Sequence, residues 1–191
     1  MPATPKTAAA KAPVSLREKL RKLGLVRPVD LVLHLPLRYE DETELQSVAH
    51  APPMVPVQVE VRVLDVSVEF RPRRQLIART VDARSEGGGG ELMLRFLNFY
   101  GSQVKQLERT RDEDKVLRVF GELRHGFFGA EMVHPRYRVV SADAPLPQAL
   151  TPVYPTTAGV SQAALRKLIE VALADTRLPE LLDATWCAQR G

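Results

Sequence analysis

A single cysteine, Cys187, stands among 191 residues, so the chain cannot close an internal disulfide. Four histidines, His34, His50, His125 and His134, are scattered without metal spacing, whereas a zinc centre needs about three or four converging ligands. No metal site is expected. No apolar run approaches the roughly 20 residues that cross a bilayer, and the Ala/Pro/Lys-rich start has no signal-peptide core. The expectation is a cytoplasmic protein with no membrane partner. The phosphate-binding pattern G-x-x-x-x-G-K-[ST] is also missing: the run Gly87, Gly88, Gly89, Gly90 leads into Glu91 and an apolar alternation, not into Lys and a helix. A flexible hairpin connection is the reading there. With no grouping of nucleophile, base and orienting residue either, the chain is read as a non-enzyme with no catalytic residues and no cofactor of its own.

What is present describes a globular chain. Hydrophobic residues make up 45% and charged residues 26%, close to the soluble average, and the length suits one ordinary domain with appendages. The net charge of +4 favours polyanions only modestly, but its distribution is uneven. Lys6, Lys11, Arg17, Lys19, Arg21, Lys22 and Arg27 crowd the first 28 residues against Glu18 alone, and the acidic run Glu40, Asp41, Glu42, Glu44 follows. That run reads as a solvated turn pairing with Arg38.

Periodicity divides the chain into four segments. Residues 1–14 form a basic tail without pattern. Residues 15–52 form a helical segment: Ser15 can cap a helix bearing Leu16, Leu20 and Leu23 on one face, Gly24 suits its stop, and Pro28 can open a second helix. Residues 53–143 change to period two. Val55, Val57, Val59, Val61 and Val63 alternate with polar residues, and at Leu64 the apolar parity switches to Val66, Val68 and Phe70, as a bulge in one long strand requires. Four further strands are expected over 75–82, 91–98, 115–123 and 129–139, with a hairpin tip at Phe127 and Phe128 and a short helix over 101–108. Residues 144–191 form a Pro-rich linker and a helix bearing Leu165, Leu168, Ile169, Ala172 and Leu173, whose apolar face needs a partner. The expected architecture is mainly β with flanking helices: a five-stranded OB-fold barrel preceded by a short helical segment and followed by a C-terminal helix. An SH3-like barrel is the rival.

OB-folds commonly bind oligonucleotides, which directs attention to aromatic and basic side chains at barrel rims. Phe96 is in phase with Leu92 and Leu94 and can be core, or it can stack on bases. Phe99 and Tyr100 fall beyond the alternation and are the better stacking candidates. Arg71, Arg73 and Arg74 in the first hairpin loop, with Arg95, Arg124 and Arg136, are candidates for phosphate contact, against a reading as solvated loop charge.

Four blocks carry a resemblance. Leu23-Gly24-Leu25, Asp30-Leu31, His34-Leu35-Pro36 and Arg38-Tyr39-Glu40-Asp41 form the first. Arg95-Phe96-Leu97-Asn98-Phe99 is the second, Gly129-Ala130-Glu131-Met132-Val133-His134-Pro135 the third, and Pro152-Val153-Tyr154-Pro155 running on to Ser161 the fourth. In this order they resemble the N-terminal wedge region of RecG, a family of ATP-dependent DNA helicases, from about Leu16 to about Leu182. One departure stands out: the family often carries paired aromatics before the Asn, and here the pair is Phe96-Leu97.

The resemblance implies a wedge that contacts the branch point of replication forks and Holliday junctions in recombination and repair at the nucleoid. Branched and single-stranded DNA are the implied partners. Two tethered motor domains, using ATP and Mg, are implied beyond Gly191, where the chain reads as cut off. An autonomous single-stranded DNA-binding OB protein and an OB-type protein-interaction module remain as alternatives.

Overall fold

The computed structural model describes residues 15–71, 73–85, 90–126, 129–141, 143–175 and Thr185. The basic tail, the Phe127 and Phe128 tip, Gly87 to Gly89, Trp186 and Cys187 lie outside the described residues. In chain order the elements are α1 (Leu16–Lys22), α2 (Pro28–Val32), β1 (Arg38–Glu40), β2 (Pro56–Glu69), β3 (Gln75–Asp82) and β4 (Glu91–Phe96). There follow α3 (Gly101–Asp112), β5 (Val116–Glu122), β6 (Arg124–Gly126), β7 (Gly129–Val133), β8 (Arg136–Val140), β9 (Thr151–Val153) and α4 (Gln162–Asp175). The fold is mainly β-sheet with a few helices. No helix among the described residues is long and apolar enough to cross a membrane.

The chain forms two compact units. One joins Met1–Tyr39 to Pro152–Gly191, and the other is Glu40–Thr151. In the first, Ser15 caps α1 reciprocally: its Oγ accepts the Glu18 N–H at 3.3 Å and the Glu18 carboxylate accepts the Ser15 N–H at 2.9 Å. Gly24 ends the turn at φ +78°, in the left-handed region a side chain disfavours. Pro28 opens α2, where Asp30 accepts from the Arg27 guanidinium and from the Arg27 and Val26 N–H groups; these bonds hold its carboxyl down to about 2. Leu165 and Ile169 of α4 are buried with Leu25, Tyr154 and Val160, against Leu20, Leu23 and Leu31. The apolar face of α4 therefore meets the N-terminal helices, because neither stripe can be covered within its own helix. Ser15→Ala should lower stability by about 1 kcal/mol, read as a fall in the urea midpoint at constant slope.

In the second unit β2 pairs antiparallel with β3 over one stretch and with β5 over the other. The register slips between Val63 and Asp65, and Leu64 is exposed there, so the parity switch is a bulge. Val59, Val61, Leu76, Leu94, Leu107 and Leu117 are fully buried in one cluster. Helix α3 runs four residues beyond the expected end at Glu108, to Asp112, and Leu107 is its buried contribution. Both faces of β2 are covered: Gln58 donates from Nε2 to the Glu42 carbonyl at 2.6 Å, and Glu60 is 6% exposed. Opposite Glu60 stands Arg118, itself 3% exposed. Its Nε and Nη2 donate to Glu60 Oε1 at 2.8 and 2.6 Å, while Nη1 and Nη2 donate to the carbonyls of Pro145 and Ala144.

Among the described residues the main sheet has seven strands in the order β6-β7-β4-β3-β2-β5-β8, with β4 and β7 parallel. Of the expected five-stranded barrel the mainly β character stands, but the pairings here form an open series, and the expected strand 129–139 is broken at residues 134–135. The cause is local. His134 takes φ +52° and Pro135 has no N–H to offer a ladder.

Candidate nucleic-acid interface

One end of this sheet gathers a loop and a turn that were separate in the sequence. The β2–β3 hairpin pairs up to Glu69 and Gln75, leaving residues 70–74 as its tip. Strand β4 stops at Phe96, opposite Leu76 of β3, and residues 97–100 turn into α3, with Tyr100 as its N-cap. The hairpin tip and the turn are joined by a cation–π contact in which the Arg74 guanidinium carbon lies 4.2 Å from the Phe99 ring centroid.

Two aromatics protrude from this end. Tyr100 is 83% exposed and Phe70 is 71% exposed. Arg71 and Arg73 are exposed beside Phe70, and neither side chain has an ion-pair or hydrogen-bond partner among the described residues. Phe70 was not singled out as a site residue, because it continues the apolar alternation of Val66 and Val68. Its position directly before Arg71-Pro72-Arg73-Arg74 was the available signal, since an inward face ends where the strand does.

The other candidates are placed differently. Phe96 is a core side chain, 3% exposed, and meets Tyr137 edge to face at 5.6 Å. Burial pushes the Tyr137 phenol above its ordinary range, while its hydroxyl donates to Gln106 Oε1 at 3.4 Å. Phe99, expected at the surface, is 9% exposed and belongs to the main cluster. It escapes the alternation because it packs from the turn, not from the strand, with Arg74 covering the ring. Arg95 is half-buried, its guanidinium donating to Glu131 and to Gln75 Oε1. Arg124 pairs with Glu122 at 3.0 Å. Arg136 is held by Glu40 and Glu42 and lies over the Phe120 ring. Thus Arg74 and Phe99 are in contact, Arg71, Arg73 and Tyr100 lie in the loop and turn that this contact joins, and Arg124 and Arg136 are engaged with carboxylates.

Chemically, this end offers exposed guanidinium groups beside exposed aromatic rings. The sequence profile of the RecG wedge domain matches residues 10–175. The chain belongs to the RecG wedge domain family. It is 44% identical over 161 residues to the ATP-dependent DNA helicase RecG of Escherichia coli strain K12, covering 83% of this chain and 22% of that protein. Against the ATP-dependent DNA helicase RecG of Pasteurella multocida it is 34% identical over 174 residues, covering 90% of this chain and 24% of the relative. The chain thus spans less than a quarter of the length of these relatives, and the match falls on their wedge region. Among solved structures, that of RecG bound to a three-way DNA junction shares the fold at a TM-score of 0.65 and 20% identity, over 97% of this chain and 26% of the other.

Proposed function

We propose that this chain is the DNA-holding part of a RecG-type ATP-dependent helicase. It binds branched DNA, such as stalled forks and Holliday junctions, and keeps parted strands apart while a motor in the same polypeptide does the work. The observation that carries this reading is that two loops joined by the Arg74–Phe99 contact carry two exposed aromatics, Phe70 and Tyr100, and two arginines, Arg71 and Arg73, whose side chains have no partner among the described residues. That a relative in fold is bound to a three-way DNA junction supports it.

The seven strands are read as an OB-fold of five. Phe120 faces Arg136 in the β5–β8 ladder, and Arg124 faces Glu131 in the β6–β7 ladder. These registers are those of one long hairpin with a one-residue slip at the His134-Pro135 bend. With that hairpin counted as two strands, the pairings run from β2 through β3 and β4 to β7, and return along β5 to β2. In such folds oligonucleotides bind across the second and third strands and the loop between the first two; residues 70–74 are that loop here.

Unpairing costs about 1.4 kcal/mol per base-pair step on average, and stacking on an aromatic returns about 1–3 kcal/mol per base. Two rings can offset one or two opened steps but cannot drive translocation. The motor, with ATP and Mg, is assigned to the part of the relatives that this chain does not match, and the site of action is the cytoplasmic nucleoid.

The chain should bind a three-way or four-way junction more tightly than a linear duplex or single strand of equal length. Equal or tighter binding of the linear single strand would make it a general single-strand binder instead, and the absence of salt-dependent DNA binding at low ionic strength would make it a protein-interaction module. Replacing both Arg71 and Arg73 by Ala should reduce the slope of log affinity against log salt by about 1.8, since each phosphate contact contributes about 0.9.

A further inference from the structure

We propose that Arg74 and His134 are positioning residues that lock the turn 97–100, and Tyr100 with it, from its two flanks; the inference rests on the junction-binding reading above. The turn lies beyond the last β3–β4 pair, Leu76 with Phe96, so no ladder holds it. On the hairpin side, the Arg74 guanidinium covers Phe99 at 4.2 Å and ties the turn to the loop that carries Phe70. On the other side, the backbone N–H of His134 donates to the Arg95 carbonyl at 2.8 Å, and its ring Nε2 accepts the Leu97 N–H at 3.4 Å.

The bend that presents His134 is itself fixed. Pro135 is buried and seated on Gly121, where an added Cβ would lie 3.2 Å from the Pro135 Cβ. His134 also takes φ +52°, a left-handed conformation uncommon outside glycine. Tyr100 is therefore carried by a segment fixed at Leu97 and at Phe99, while its own ring stays in solvent. A ring held ready loses less freedom when a base stacks on it, and that lowers the dissociation constant without adding any contact.

Arg74 thereby differs from Arg71 and Arg73: it acts through Phe99, not through a phosphate. The test is junction affinity against salt for Arg74→Leu, Arg74→Met, His134→Gly and His134→Gln in the whole chain, with Arg71→Ala as calibrant and thermal melts alongside. His134→Gly suits the positive φ and removes the ring, although it also loosens the backbone there, and Arg74→Met keeps packing on Phe99 should Arg74→Leu fail to fold. Arg74→Leu and His134→Gly should each weaken junction binding roughly threefold to tenfold, the range that one modest hydrogen bond or cation–π contact allows. Their salt slopes should parallel the parent, whereas Arg71→Ala is shallower by about 0.9. His134→Gln, which restores an acceptor, should recover most of the affinity.

A slope for Arg74→Leu or Arg74→Met as shallow as that of Arg71→Ala would make Arg74 a phosphate contact and overturn the proposal. So would parent affinity in both Arg74→Leu and His134→Gly, or a His134→Gln that binds as weakly as His134→Gly. If Arg71→Ala leaves the slope unchanged and the parent does not prefer a junction, the junction reading itself fails, and this inference fails with it.

Discussion

Glu60→Ala is expected to cost the β-rich unit about 3–5 kcal/mol, enough to leave it largely unfolded at modest urea concentrations. Glu60 and Arg118 face each other across β2 and β5, and both are nearly excluded from water. Removing the carboxylate strands a guanidinium that keeps only the Pro145 and Ala144 carbonyls as acceptors, so the penalty is that of an uncompensated buried charge. Replacing both residues by apolar side chains of similar volume, Glu60→Leu with Arg118→Met, should recover most of the loss, because two desolvated charges are removed together. Urea melts of the single and double variants supply the cycle. A single Glu60→Ala change costing under about 1 kcal/mol would mean that water reaches the guanidinium.

Phe99 and Tyr100 are neighbours in sequence and should differ sharply in their effect on stability. Phe99→Ala removes a core ring and should cost about 3 kcal/mol, at the low end for a buried aromatic because the turn can settle inward. Tyr100→Ala should leave the melting temperature nearly unchanged, its ring being 83% exposed, and should weaken junction binding by the worth of about one stacked base, about 1–3 kcal/mol. Phe70→Ala is expected to follow Tyr100→Ala in both measurements. If Tyr100→Ala lowers the melting temperature as much as Phe99→Ala does, the exposed ring is not available for a base. Unchanged junction affinity in both Tyr100→Ala and Phe70→Ala would remove the aromatics from the interface.

Where period-two alternation was strong the fold was legible. Strand β3 occupies 75–82 as read, and the parity switch at Leu64 located the bulge. Alternation reports on one buried face, however, and β2 has two. Its polar-looking residues Gln58 and Glu60 are covered by segments distant in sequence, around Glu42 and Ala144, and nothing local announces such cover. The partner of α4 was missed for the same reason: the stripe was plain, but its complement lay in α1 and α2. At the candidate interface the sequence did not sort the side chains by their surroundings. Arginines read alike in a sequence, whereas the structure gives Arg95, Arg124 and Arg136 carboxylate partners and leaves Arg71 and Arg73 with none among the described residues. Phe70 and Phe99 exchanged expectations because strand phase ceases to predict burial at the point where the strand ends.

The first unit is assembled from two stretches far apart in sequence, and that imposes an order on its synthesis. Helices α1 and α2 leave the ribosome first, yet Leu165 and Ile169, which cover their apolar stripe, are made roughly 130 residues later, on the order of ten seconds at ordinary elongation rates. The β-rich unit, continuous in sequence from Glu40 to Thr151, can complete its ladders in that interval. The nascent chain thus carries an unsealed leucine face through the whole making of the sheet, and a chaperone that recognises such faces has its window then and not after α4 emerges.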